Sequence, residues 1–280
     1  MNRNNIENII RNSLAEDIGN GDITTHAIVP DNLAGIGEFI VKHDGIIAGL
    51  DIIEILLGIV DSELAIEKKI YDGEKVNTGY IIAIVKGKIS SMLTAERTAL
   101  NFLQRMSGIA TMTNSYIEKI KHTKAKILDT RKTVPGLREL DKLAVKIGGG
   151  TNHRIGLYDM FLIKDNHIAA AGSVTKAIDL CKRFQKENKS NFKIEVETEN
   201  IEQVKEALTC RVDFIMLDNF NLKEMEKAVE LIFGKCLIEA SGGIDLNTIK
   251  EIAETGVDFI SVGALTHSVK ALDISLEIRS

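Results

Sequence analysis

Residues 193–219 read Lys193-Ile-Glu-Val-Glu-Thr-Glu-Asn-Ile-Glu-Gln-Val-Lys-Glu-Ala-Leu-Thr-Cys-Arg-Val-Asp-Phe-Ile-Met-Leu-Asp-Asn219. A β-rich run at 193–197 leads into a helical pattern at 201–208, and a second β-rich run follows at 214–218. Strand, helix, strand in under thirty residues is a βα unit, which favours parallel pairing. The unit recurs on both sides. Further strands are predicted at 126–129, 161–164, 237–241 and 259–263, with helices at 140–147, 174–185, 222–232 and 246–255 between or after them. Six strands are fewer than a complete eightfold barrel needs.

The ends of these strands carry the chemistry. Asp129 with Arg131-Lys132 closes the first strand and Lys164-Asp165-Asn166-His167 the second. Glu197, Asp218-Asn219, Ser241-Gly242-Gly243 and Gly263-Ala264 close the others. Catalytic groups of α/β barrels gather on that C-terminal face. At period two, Glu195, Glu197 and Glu199 share one side of their strand. Three aligned carboxylates repel one another if buried, and a magnesium-bound or hydroxyl-rich ligand relieves that. The alternative for Glu195 and Glu199 is solvent, or lysine partners. Glycines at the last two strand ends suit a phosphate held by backbone N–H groups.

Composition narrows the partners. The formal net charge is −5 over 280 residues, which does not favour nucleic acid. From Asp129 to His167, however, seven Lys/Arg stand against five acids. A positive island in a negative chain suggests an anion site. Cys181, Cys210 and Cys236 are odd in number and form no CxxC pair, so reduced thiols in a cytoplasm are the simplest reading. The opening Met1-Asn-Arg-Asn-Asn lacks the apolar core of a signal peptide, and the run at 52–60 is too short to span a bilayer.

Upstream of the repeat the pattern differs. A helix is predicted at 6–16, strands at 37–41, 46–49, 64–70 and 81–85, and a short helix at 52–57. The stretch Asp72 to Val85 looks like a biotinyl or lipoyl carrier hairpin but has no lysine at a tight turn, and is read as scaffold. A long helical pattern at 94–120 is interrupted by Gly108, where the domain boundary is placed.

Three blocks make the chain recognisable: Asp129-Thr-Arg-Lys-Thr-Val-Pro-Gly-Leu-Arg, Gly148-Gly-Gly-Thr-Asn-His-Arg-Ile-Gly-Leu and Leu162-Ile-Lys-Asp-Asn-His-Ile. With Glu16-Asp-Ile-Gly-Asn-Gly-Asp-Ile-Thr-Thr, Glu96-Arg-Thr-Ala-Leu-Asn, Glu195-Val-Glu, Ile215-Met-Leu-Asp-Asn-Phe and Ile260-Ser-Val-Gly-Ala-Leu-Thr, they resemble the quinolinate phosphoribosyltransferases along essentially the whole chain. The resemblance implies an incomplete (β/α) barrel over 109–265. An N-terminal open α/β sandwich domain over 1–108 would be completed by the C-terminal tail, 266–280. It implies transfer of phosphoribose from phosphoribosyl pyrophosphate to quinolinate with Mg²⁺, yielding nicotinate mononucleotide, pyrophosphate and CO₂ in NAD synthesis.

It also assigns roles. Arg131, His153, Arg154 and Lys164 would surround quinolinate's carboxylates, with Arg97 supplied by the neighbouring subunit of a dimer or hexamer, and Thr130 would also bind substrate. Lys132 would bind pyrophosphate. Glu197 and Asp218 would hold the ribose hydroxyls, directly or through the metal. Ser241, Gly242, Gly243, Val262, Gly263 and Ala264 would cradle the 5′-phosphate. Lys132, Lys164, Glu197 and Asp218 are the expected catalytic groups. Gly243 departs from the family pattern, which often has Asn there. A rival reading is a Schiff-base aldolase built on Lys164. Other rivals are a paralogue serving another acceptor or metal transport, and a non-enzymatic carrier module.

Overall fold

The computed structural model describes residues 3–280; Met1 and Asn2, part of the opening stretch read above, lie outside them. The chain divides into two compact units. One is built from the first segment up to Asn114, Thr133–Gly149 and Leu265–Ser280; the other from Ser115–Lys132 and Gly150–Ala264. Residues 133–149, expected in the barrel, therefore belong to the first unit.

The first unit is organised by an antiparallel sheet in the order Ile274–Arg279, Ala34–Val41, Ile81–Lys88, Ala65–Lys68. The C-terminal tail thus supplies an edge strand. Phe39, Val41, Ile82 and Val85 are buried in the sheet. Ile6, Ile10 and Leu14 recur at helical spacing on Arg3–Ile18 and are buried, as are Ile53, Leu56 and Leu57 on Leu50–Val60. Asp72, from the carrier-like hairpin, accepts the N–H groups of Gly49 and Leu50 at 2.9 and 3.0 Å and so caps the Leu50–Val60 helix. That gives the hairpin a structural task.

The expected break at Gly108 does not occur. One helix runs from Ile89 to Ile120. Glycine is there because a Cβ would run into the Lys270 carbonyl oxygen and come within 3.0 Å of Ala271 Cα. It lets two backbones touch. Asp141, counted above in the basic island, is 1% exposed and takes a two-pronged hydrogen bond from Arg105 at 2.9 and 2.8 Å. Lys142 beside it is also buried.

The second unit is the βα repeat. Its parallel sheet runs in the order Lys126–Leu128, Phe259–Ser261, Leu237–Ser241, Phe214–Asp218, Ile194–Thr198, Phe161–Ile163. The first strand pairs with the last, as a barrel requires, while Lys126–Leu128 and Phe161–Ile163 do not pair with each other. The barrel is incomplete at that seam, and only an isolated parallel bridge, Leu128 to Thr151, continues it. Helices Val174–Glu187, Ile201–Thr209, Leu222–Ile232 and Ile249–Glu254 follow their strands as predicted. The short helices Ile23–Ile28, Asp165–Ala171 and Ala264–His267 were not predicted; they have seven residues or fewer, too few to show a period. No helix among the described residues is long and apolar enough to cross a membrane.

Candidate active site

The strand ends of the second unit bring most of the expected residues together. Lys164 follows Phe161–Ile163 and forms an ion pair with Glu197 on the neighbouring strand. Its backbone N–H donates to His167 Nδ1 at 3.0 Å, so the Lys164-Asp165-Asn166-His167 run builds a helix start that fixes the lysine's backbone. Asp218 ends Phe214–Asp218, opposite Ser241 in the pairing register, and accepts a 2.7 Å hydrogen bond from Asn219 Nδ2. Asn219 sits in the left-handed region at φ 57° and donates its N–H to the Ser241 carbonyl at 2.9 Å.

Gly242 has φ 99°, and a Cβ on it would collide with Asn219 Oδ1 and stand 2.9 Å from Asn219 N. No other residue fits this turn. Gly243, at φ 60°, has open space around it, and its conformation is one that Asn also tolerates. The departure from the family pattern therefore leaves the turn intact. Val262, Gly263 and Ala264 follow the last strand.

Thr130, Arg131 and Lys132 follow the first strand, and the Lys132 N–H donates to Thr130 Oγ1 at 3.0 Å. Arg154 donates from Nη1 to the Met160 carbonyl at 3.1 Å, while its Nε is buried without a hydrogen-bond partner among the described residues. Burial, and then the positive charge of Arg131, lower the Arg154 pKa. Two guanidiniums in a partly dry setting, with an unsatisfied Nε on Arg154, call for an anion. Asp159 holds the intervening loop by accepting the N–H groups of Ile155 and Gly156 at 2.7 and 3.0 Å.

The basic island divides between the two units. Arg131, Lys132, Arg154 and Lys164 lie in the second unit, whereas Arg138, Lys142 and Lys146 lie in the first. Arg97 is exposed on the Ile89–Ile120 helix of the first unit.

Glu195 rules out one of its two sequence readings, solvent or a lysine partner. It is 0% exposed and pairs with neither solvent nor lysine. Its Oε2 lies 2.8 Å from His153 Nε2, and Glu239 Oε2 is 3.4 Å from the same nitrogen. Ser261 donates its hydroxyl to Glu239 Oε1. Asp129, fully buried, accepts the His153 N–H at 2.9 Å. Neither Glu239 nor Ser261 was singled out in the sequence. The signal was present: a glutamate inside Leu237-Ile-Glu-Ala-Ser241 shares its strand face with Ser241.

Comparison with known proteins then settles the family. The quinolinate phosphoribosyl transferase C-terminal domain matches residues 109–277, and the N-terminal domain of the same family matches 22–107. The chain belongs to the quinolinate phosphoribosyl transferase family. It is 46% identical to quinolinate phosphoribosyltransferase [decarboxylating] 1b of Nicotiana tabacum, over 98% of this chain and 82% of that protein. It is 42% identical to the probable nicotinate-nucleotide pyrophosphorylase [carboxylating] of Bacillus subtilis, over 99% and 95%. The solved structure of the nicotinate-nucleotide pyrophosphorylase from Francisella tularensis superposes with a TM-score of 0.95 at 42% identity, covering 100% of this chain and 98% of that one. The barrel with an open seam and the antiparallel N-terminal sheet are this family's architecture.

Proposed function

We propose that the protein is a decarboxylating quinolinate phosphoribosyltransferase of NAD biosynthesis. It would join quinolinate to phosphoribosyl pyrophosphate and release nicotinate mononucleotide, pyrophosphate and CO₂. The observation that carries this reading is the partly desolvated Arg154 guanidinium, with its unsatisfied Nε, beside Arg131. Planar forked donors suit a dicarboxylate. Family membership supplies the substrate.

Arg131, Arg154, Lys164 and Thr130 orient the pyridine ring through its carboxylates, so that the ring nitrogen faces the anomeric carbon. The nitrogen lone pair forms the new C–N bond while the C–O bond to pyrophosphate breaks with its electron pair on the leaving group. Glu197 and Asp218 hold the ribose hydroxyls and stabilise positive charge at the anomeric carbon. Lys132 balances the pyrophosphate, and the backbone N–H groups from Ser241 to Gly243 and Val262 to Ala264 take the 5′-phosphate. Once alkylated, the positive ring nitrogen stabilises the electron pair that the breaking C–CO₂ bond leaves on the adjoining ring carbon. CO₂ departs and the ring carbon takes up a proton.

Magnesium fits the donor set at the strand ends. Glu197 and Asp218 offer two carboxylates, and this ion is commonly held by one or two carboxylates together with substrate phosphates. When bound it would neutralise the leaving pyrophosphate. We assign Arg97 to the site of a neighbouring subunit in a homo-oligomer, dimer or hexamer, which its exposure permits. A cytoplasmic location accords with the free Cys181, Cys210 and Cys236.

An aldolase reading of Lys164 explains neither the two arginines nor the phosphate turns, and Glu197 already engages that amine. The test is purified protein with quinolinate, phosphoribosyl pyrophosphate and Mg²⁺, assayed for nicotinate mononucleotide and CO₂. Product from quinolinate but not from nicotinate is expected; turnover of nicotinate in its place overturns the dicarboxylate assignment.

A further inference from the structure

Beneath the strand ends lies a polar layer that the chemistry above does not use. Glu195 and Glu239 sit two residues before Glu197 and Ser241 on their strands, and so face the same side one step deeper. They are 0% and 1% exposed. Two adjacent carboxyls cost several kcal/mol to bury unless hydrogen bonds compensate. Here part of the compensation is specific: Ser261 donates to Glu239 and His153 Nε2 faces both glutamates, while Glu195 Oε1 is buried without a hydrogen-bond partner among the described residues.

The other side of the ring is engaged too. The Arg154 backbone N–H donates to His153 Nδ1 at 2.8 Å. Both ring nitrogens are therefore committed inside the protein, while Asp129 holds the His153 N–H. Burial disfavours the charged form of the His153 ring while Glu195 and Glu239 favour it. An imidazolium would carry a proton on Nδ1, pointing at the Arg154 N–H. The hydrogen-bond geometry decides against that, so Nε2–H is the tautomer assigned from the network.

We propose that Glu195, Glu239 and Ser261 are positioning residues for quinolinate: they fix the His153 ring, and the ring, through Nδ1, fixes the Arg154 backbone from which the substrate-binding guanidinium springs. The inference rests on the proposed function, and it gives His153 an indirect role in place of a contact with a carboxylate. A second anchor, Arg154 Nη1 to the Met160 carbonyl, holds the far end of that side chain. The guanidinium is thus restrained at its root and its tip, leaving Nε for a ligand. Pre-set donors of this kind bind a carboxylate without first spending rotamer entropy.

Two measurements test this. In the wild-type protein without substrate, ¹⁵N NMR of the His153 ring should show a bare Nδ1 and a protonated Nε2; a proton on Nδ1 overturns the arrangement. In steady-state kinetics, Glu239→Gln and Ser261→Ala should raise KM for quinolinate roughly 10- to 100-fold, since small misplacements of a binding group have effects of that order. KM for phosphoribosyl pyrophosphate should stay within about twofold. A quinolinate KM unchanged in both variants, or equal losses for both substrates, rejects the positioning role. Should Glu239→Gln fail to fold, Ser261→Ala, which removes one hydroxyl, and the ring measurement still decide. A wild-type protein that makes no nicotinate mononucleotide would refute the proposed function instead, and the NMR result would stand apart from it.

Discussion

Lys164 and Glu197 form an ion pair between the ends of neighbouring parallel strands, joining a cation expected at the dicarboxylate to an acid expected at the ribose. The pair links the two halves of the site. Removing either partner strands the other. Lys164→Met and Glu197→Gln should each lower kcat/KM by about 2 kcal/mol or more, the usual scale for lost hydrogen bonds to charged groups. Glu197→Gln should weaken phosphoribosyl pyrophosphate more than quinolinate, and Lys164→Met the reverse; steady-state kinetics with each substrate varied in turn would show it.

Arg154 should not tolerate lysine. A buried, unsatisfied Nε and a fixed Nη1 describe a planar fork, and an ammonium cannot reproduce two parallel donors. Arg154→Lys and Arg131→Ala are each expected to cost about 2–3 kcal/mol in kcat/KM for quinolinate. A loss of a few tenths in either would remove that residue from the substrate's surroundings.

The two glycines of the phosphate turn should behave oppositely. Gly242→Ala meets both an unfavourable φ of 99° and the Asn219 side chain, so a lowered Tm and a raised KM for phosphoribosyl pyrophosphate are expected. Gly243→Asn meets open space at φ 60°, and thermal denaturation with kinetics should find it close to wild type.

Asp159 makes the 155–159 loop sensitive to acid. Burial raises its pKa, but the N–H groups of Ile155 and Gly156 outweigh this and hold it below the ordinary 3.8. A depressed folded-state pKa gives stability that is present above the unfolded value and lost as pH falls through the folded one. The protection factors of the Ile155 and Gly156 amides should therefore fall below pH 3.8, and Asp159→Asn should show the lower protection already at neutral pH.

Arg97 provides the test of assembly. If it serves a neighbouring subunit, Arg97→Ala and Lys164→Met chains, each impaired alone, should regain activity when mixed and allowed to exchange subunits. Mixtures that stay inactive after proven exchange would confine the site to one chain.

The repeat of β-rich runs and helical patterns was legible because period is a local property. Residues 193–219 alone announce a parallel unit, and the strand-end placement of Lys164, Glu197, Asp218 and Ser241 follows from where each apolar run stops. The three short helices had no period of their own, and the tail Ile274–Arg279, though it alternates apolar and polar, pairs with Ala34–Val41, more than two hundred residues away, which no local pattern specifies.

By itself the sequence determined the βα architecture, the residue types at its strand ends and the family. Tertiary structure decided how those residues are partnered. Asp141 reads as one acid in a basic stretch until Arg105, 36 positions earlier, closes on it. For Glu195 the sequence leaves burial and solvent both open until His153 and Glu239, from distant segments, surround it. The reason is that periodicity places a side chain on a face of its own strand or helix, while burial and hydrogen bonding depend on which other segment covers that face.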